Sequence, residues 1–313
     1  MLYVFCGLPA AYLYNLLSNI LRSVGNTRSA LYFLIISVVL NIALDYGFVG
    51  YLKTGIGGAA LATVLSQAVS ALLCWIYLFK TYRELLCTRA DAGRHPVLFK
   101  ETLHYGLASA LHQSSLYIGK LLVQGAVNTL GTSAIAAYTA ATRIEGYANS
   151  FGTSGSQAMS VFVSQNRGAD NEERVRAGFK RGMLLMAALG VAASIVLFVG
   201  AGAFMRGLMP EEGTEAVSMG TGYLKFMGVF YVFCFLGNSY VGYFRGIGKV
   251  SVPVVGTTIQ IVLRVILSDL LAAKYGLTAV AIASIVGWAV MLVYQTYMAV
   301  KAFGLPKLRH RHA

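Results

Sequence analysis

Charge is scarce in this sequence, and acid is scarcer still. Only 12% of the 313 residues are charged, with 12 Asp and Glu against 25 Lys and Arg. A water-soluble domain carries roughly 25%. So little polar side chain cannot cover a globule in water, which excludes a soluble enzyme or binding domain. Cysteine is also rare. Cys6, Cys74, Cys87 and Cys234 show no C-x-x-C spacing, so neither a disulfide framework nor a zinc centre is indicated. His104 and His112 share one segment without a partner at i+4, and each reads as a satisfied structural histidine. No cluster of His, Asp and Glu converges as acid–base or metal chemistry would require, which argues against a membrane enzyme. No basic stretch precedes the first apolar run, so the N-terminus does not read as a signal peptide.

What is abundant is apolar side chain, 57% of the total. It falls into runs at about 3–22, 30–50, 57–79, 103–128, 133–163, 183–203, 221–243, 253–272 and 277–300. Each is long enough, at about 20 residues, to cross a bilayer as a helix. The expectation is an all-α polytopic membrane protein with nine transmembrane helices. Its connections alternate in charge: 18 Lys and Arg fall on one side and only Lys53, Arg206 and Lys274 on the other. The basic side, with the C-terminus, is then cytoplasmic. The net charge of +13 is thereby explained by topology, and nucleic-acid binding is not expected.

A repeat sets the organisation. LRSVGNT, LNIALDYGFV and GIGGAALAT, between Leu21 and Thr63, have fainter copies in FRGIGKV, VLRVILSD and GLTAVAIAS. Arg22, Gly25 and Leu40 match Arg245, Gly248 and Leu263; Gly55, Ala60, Ala62 and Thr63 match Gly276, Ala281, Ala283 and Ser284. Six apolar runs separate the copies, an even number, so both cross in the same direction as a parallel repeat. Residues 1–83 read as a partial N-terminal lobe of three helices and 101–303 as a C-terminal lobe of six. A polar linker at 84–100 joins them, and 304–313 forms a basic cytoplasmic tail. Asp170, with Glu173 three residues on, has the pattern of a capping box opening a basic cytoplasmic turn. The outer loop 210–215 reads as solvated surface.

Two places carry intramembrane acid. Asn41 and Asp45 are one turn apart on one helix face, offering oxygens suited to a hard cation or a proton; alternatively Asp45 reaches the interface. An unpaired Asp at the bilayer centre costs about 2.5–3.5 kcal/mol on the insertion scale. Glu145 lies near mid-membrane, with Arg143 on a different face. It is either a cavity carboxylate attracting cations or carrying a proton, or the partner of Lys120 or another basic residue. Gln124 and Tyr138 are further cavity candidates.

GLPAAYLYNLLSNILRSVGNT, LNIALDYGFV, GIGGAALATVLSQ, AIAAYTAATRIEG, FVSQNRGADNEERVRAGF and FRGIGK together resemble the multidrug and toxic compound extrusion (MATE) transporters. The resemblance implies a two-lobe bundle of twelve helices, of which this chain looks like helices four to twelve, the first lobe being incomplete. It implies a secondary antiporter that exports organic, often cationic, compounds in exchange for Na⁺ or H⁺. No cofactor and no obligatory protein partner are implied; the partners are membrane lipid and small organic cations. In sodium-binding members an Asn, an Asp and a Thr form a first-lobe site, matching Asn41, Asp45 and Thr63. The second copy has Arg264 and Ser268 at the Asn41 and Asp45 positions, so the cation site is expected in one lobe only. Asn26 stands where members commonly have Asp. A lipid-linked oligosaccharide flippase of the same general plan is the alternative, as is an inactive truncated fragment. A flippase would need more intramembrane basic residues than these.

Overall fold

The computed structural model describes residues 2–85, 95–210 and 213–304. Cys87, most of the linker, Glu211, Glu212 of the outer loop and the basic tail lie outside them. The described residues form ten α-helices and no strand: α1 (Leu2–Ser23), α2 (Thr27–Asp45), α3 (Gly55–Thr81), α4 (Pro96–Asn128), α5 (Thr132–Gly168), α6 (Glu172–Leu208), α7 (Thr214–Phe230), α8 (Val232–Gly246), α9 (Ser251–Tyr275) and α10 (Leu277–Gly304). A π-helical turn, Tyr46–Tyr51, continues α2, and a short 3₁₀ turn, Arg83–Leu85, follows α3. The chain divides into two compact units, Met1–His95 and Pro96–Ala313. Residues 96–100, expected in the linker, are the first turn of α4, where proline suits the N1 position because its missing N–H has no helical acceptor there.

The helices outrun the apolar windows at most ends. Hydropathy marks only the stretch that meets hydrocarbon, whereas backbone hydrogen bonding continues into water. Five helical segments, Thr27–Tyr51, Gly55–Thr81, Glu172–Leu208, Ser251–Tyr275 and Leu277–Phe303, are long and apolar enough to cross a membrane. A sixth candidate is the pair α7 and α8, expected as one helix but broken at Tyr231 with a bend of 52°. α1, α4 and α5 are not among these spans.

In the first unit, α1 packs on α3 and α2 on α3, around Tyr14, Leu17, Leu21, Ala30, Ala71, Cys74 and Leu78. The outward faces stay apolar: Tyr46, Tyr51 and Ile56 are 80%, 84% and 91% exposed. Surfaces of this kind need a non-aqueous solvent. In the second unit the core gathers Val123, Tyr138, Met186, Leu197, Tyr223, Met227, Tyr231 and Phe235. A second cluster around Phe179, Tyr243, Phe244 and Val252 lies toward the other end. Small residues set the helix spacing there: a Cβ on Gly228 of α7 would stand 3.0 Å from the backbone nitrogen of Phe198 on α6. Such close approach is the usual basis of helix association in lipid.

The turns after α1 and α8 have matching geometry. Gly25 has φ 82° and Gly248 φ 76°. Asn26 N–H donates to Leu21 O at 2.9 Å, and Lys249 N–H to Phe244 O at 2.8 Å. Gly25 N–H donates to Arg22 O, and Gly248 N–H to Arg245 O. Both are Schellman caps, in which glycine takes the left-handed position. A third follows α5, with Asp170 at φ 53° in that position. This corrects the expected capping box. The N-cap of α6 is Asn171, whose Oδ1 accepts from Arg174 N–H at 3.0 Å. Asp170 instead closes the helix before. Arg174, Arg176, Lys180 and Arg181 therefore lie on the opening turns of a 37-residue helix, not on a separate cytoplasmic turn.

Candidate functional site

After its polar first turn α2 is apolar on nearly every face, so Asn41 and Asp45 stand out. Asn41 and Asp45 follow one another by one turn at its end, and α3 brings Thr63 alongside. Asn41 Nδ2 donates to Thr63 Oγ1 at 3.5 Å. The Thr63 hydroxyl donates in turn to Ala59 O at 3.0 Å. With its amide turned to Thr63, Asn41 keeps its carbonyl oxygen for another partner. Asp45 is the last α-helical residue before the π turn. Its Oδ1 is shielded and meets no hydrogen-bond partner among the described residues. The structure thus joins Asn41 to Thr63 directly, and sets Asp45 one turn along without a bond to either. The π turn was not legible in the sequence. Leu52 N–H donates to Gly47 O, and both the backbone N–H and the hydroxyl of Thr54 donate to Phe48 O, drawing the chain back toward α3. A π turn of this kind is frequent at functional positions.

Asn26 caps α2 by accepting from Ser29 N–H at 3.2 Å, and donates to Tyr77 Oη and Tyr82 Oη at 3.0 and 3.2 Å. It ties the turn to the end of α3, a structural use of the amide.

In the second unit, Tyr138 and Glu145 on α5 face α7 and α9. Arg264 Nη2 donates to Tyr138 Oη at 3.1 Å. The groups acting electrostatically on the Glu145 carboxyl are Arg264, Tyr223 and Lys120. Glu145 Oε1, Tyr223 Oη and Arg264 Nε are all shielded, and the Tyr223 hydroxyl is within interacting reach of both the Glu145 carboxyl and Arg264 without completing a bond of full geometry to either. Tyr231, at the break between α7 and α8, donates its hydroxyl to the backbone oxygen of Glu145 at 2.8 Å. One turn further along α5, Asn149 Oδ1 accepts from Cys234 Sγ at 3.4 Å and from Asn238 Nδ2 at 3.3 Å. Arg143 is exposed on another face. Gln124 bonds to Asn128 at 3.0 Å on its own helix. Sequence reasoning missed Tyr223, Tyr231 and Asn149. Their signal was polar groups recurring in apolar runs, but tyrosines at membrane depth also serve as belt residues.

His112 is buried between two partners. Arg245 Nη2 donates to its Nδ1 at 3.0 Å, so Nε2 carries the hydrogen and donates to Thr257 Oγ1 at 2.9 Å. Arginine has no lone pair to offer, which fixes the tautomer. Among the described residues no group of three or more His, Cys, Asp or Glu could hold a metal ion.

Comparison with known proteins gives a consistent family. The MatE family model matches residues 1–47 and 108–270. The chain is 28% identical over 219 residues to a probable multidrug resistance protein, YoeA, of Bacillus subtilis, covering 67% of this chain and 47% of that one. It is 27% identical over 253 residues to a probable multidrug resistance protein, NorM, of Thermotoga maritima, covering 78% and 53%. The chain thus spans about half the length of the curated relatives it matches. An outward-facing multidrug resistance MATE transporter superposes with a TM-score of 0.88 at 22% identity, covering 97% of this chain and 70% of that one. Together with the apolar spans, these matches make the chain an integral membrane protein of a transporter family rather than an enzyme, and it belongs to the MatE family.

Proposed function

We propose that this chain serves a secondary antiporter that exports organic, often cationic, compounds in exchange for Na⁺ or H⁺. Asn41, Asp45 and Thr63 form its cation site. The observation that carries this reading is the Asp45 carboxylate, whose Oδ1 is shielded and unpartnered beside an Asn–Thr contact of 3.5 Å. A carboxylate held this way in an apolar helix gains most from a hard cation or a proton. The matching caps at Gly25 and Gly248 support a parallel two-lobe repeat, the charge split supports a cytoplasmic C-terminus, and residence in the plasma membrane belongs to the same reading. Nine spans, a linker near 84–100, and a cavity touched by Glu145, Gln124 and Tyr138 belong to the same reading. Transport then follows from alternating exposure of the site as cation occupancy biases α2.

Ethidium efflux from cells expressing the protein tests it. The native chain should lower dye accumulation, and Asp45→Asn should abolish that with unchanged membrane abundance. Equal efflux by the Asn variant would overturn the assignment of Asp45.

A further inference from the structure

The second unit has a half-buried acid of its own, Glu145, whose Oε1 is shielded, and the repeat shows what stands beside it. Shifted by 223 residues, Asn41 and Asp45 fall on Arg264 and Ser268. The correspondence reaches side-chain detail: Thr63 donates to Ala59 O at 3.0 Å, and its counterpart Ser284 donates to Val280 O at 2.7 Å. Where the first unit offers oxygens, the second therefore presents a guanidinium.

That guanidinium lies at the depth of Glu145. At 1.5 Å per residue, Glu145 is about 20 Å along α5 from Thr132, and Arg264 about 17 Å along α9 from Tyr275. Both helix ends lie on the side with few basic residues. Tyr138 receives a bond from Arg264, while Tyr223 and Glu145 also act on it electrostatically. Lys120 is a further cation acting on the acid. Tyr231 and Cys234 are the remaining titratable groups facing this place, and Tyr231 already donates to the Glu145 carbonyl. Glu145 Oε1, Tyr223 Oη, Ser268 Oγ and Arg264 Nε are shielded and complete no hydrogen bond of full geometry among the described residues, although the Tyr223 hydroxyl is within interacting reach of both the Glu145 carboxyl and Arg264. Ser268 follows Arg264 by one turn of α9. Three of these four atoms are oxygens.

We propose that Glu145, Tyr138, Tyr223 and Ser268 form a small-cation site in the second unit, which the Arg264 guanidinium fills as a tethered cation. The charge is supplied covalently, so this unit needs no ion from solution, and exchange of ions is confined to the first. Removing the guanidinium exposes a site for a free monovalent cation.

The test uses the full chain in detergent with Asp45→Asn present throughout, so that failure of the first-unit site cannot be mistaken for failure of this one. Thermal midpoints are read by tryptophan fluorescence in sodium, guanidinium or choline chloride at equal, sub-denaturing concentration. In choline, Arg264→Gln should lower the midpoint on the order of 10 °C, because it strands a shielded carboxylate. Sodium or guanidinium should restore several degrees of this saturably, by mass action. E145Q/R264Q should melt above R264Q and show no cation response. Should R264Q not be recovered folded in choline, the same cations should restore its monodisperse yield, and E145Q/R264Q should be recovered without them. A variant indifferent to both cations overturns the proposal, as does a cation response that persists in E145Q/R264Q.

Discussion

Asp45→Asn should raise the stability of this protein in the absence of coupling ion, and that advantage should shrink or reverse in its presence. The native side chain carries a full charge whose Oδ1 is shielded without a partner. On the insertion scale an Asp costs about 2.5–3.5 kcal/mol at the bilayer centre. Asp45 ends α2 and is only half-buried, so about 1–2 kcal/mol is the appropriate fraction. For a chain of this size that corresponds to an increase of roughly 2–3 °C in melting midpoint. If the site binds Na⁺, the native protein gains RT ln(1 + [L]/Kd), or about 1.4 kcal/mol at ten times Kd, while the Asn variant gains little. The two melting curves should therefore converge or cross as NaCl replaces choline chloride. The assay is tryptophan-detected melting of the two proteins in detergent across a series in which NaCl replaces choline chloride. An Asn variant that is less stable than native in choline at neutral pH would refute the reasoning, because Asp45 would then be accepting bonds that the structure does not contain.

Two further predictions concern the turns. Asn171→Ala should lower the unfolding free energy by about 1 kcal/mol through loss of the α6 cap, whereas Asp170→Gly should raise it by several tenths, since glycine takes φ 53° more readily than aspartate; melting midpoints in detergent distinguish the signs. Gly248→Ala should lower the melting midpoint by a few degrees, because it imposes about 1 kcal/mol of left-handed strain and its Cβ would stand 2.7 Å from Tyr105 Oη; an unchanged midpoint in detergent would count against the Schellman cap.

Membrane residence, the helical class and most helix positions were legible because hydrocarbon selects apolar side chains residue by residue. The break at Tyr231 was not, since 221–243 is apolar on both sides of it and the bond from Tyr231 to the Glu145 carbonyl joins two helices far apart in sequence. The cap of α6 was misplaced by one residue because Asp170 and Asn171 are both good caps, and only the backbone φ of the first tells which helix it serves. Pairwise spacing found Asn41 and Asp45 on one helix. The bond to Thr63 came from likeness to a family, and the pairing of His112 with Arg245 and Thr257 needed three helices to be placed together, which no local pattern contains.

α5 and α6 are each 37 residues long, about 55 Å at 1.5 Å per residue, against a hydrocarbon layer of about 30 Å. Their junction is only Ala169, Asp170 and Asn171, flanked by Arg167, Arg174 and Arg176. All three junction residues are exposed, so an epitope or fluorophore placed there would extend the shared end of both helices without entering their packing.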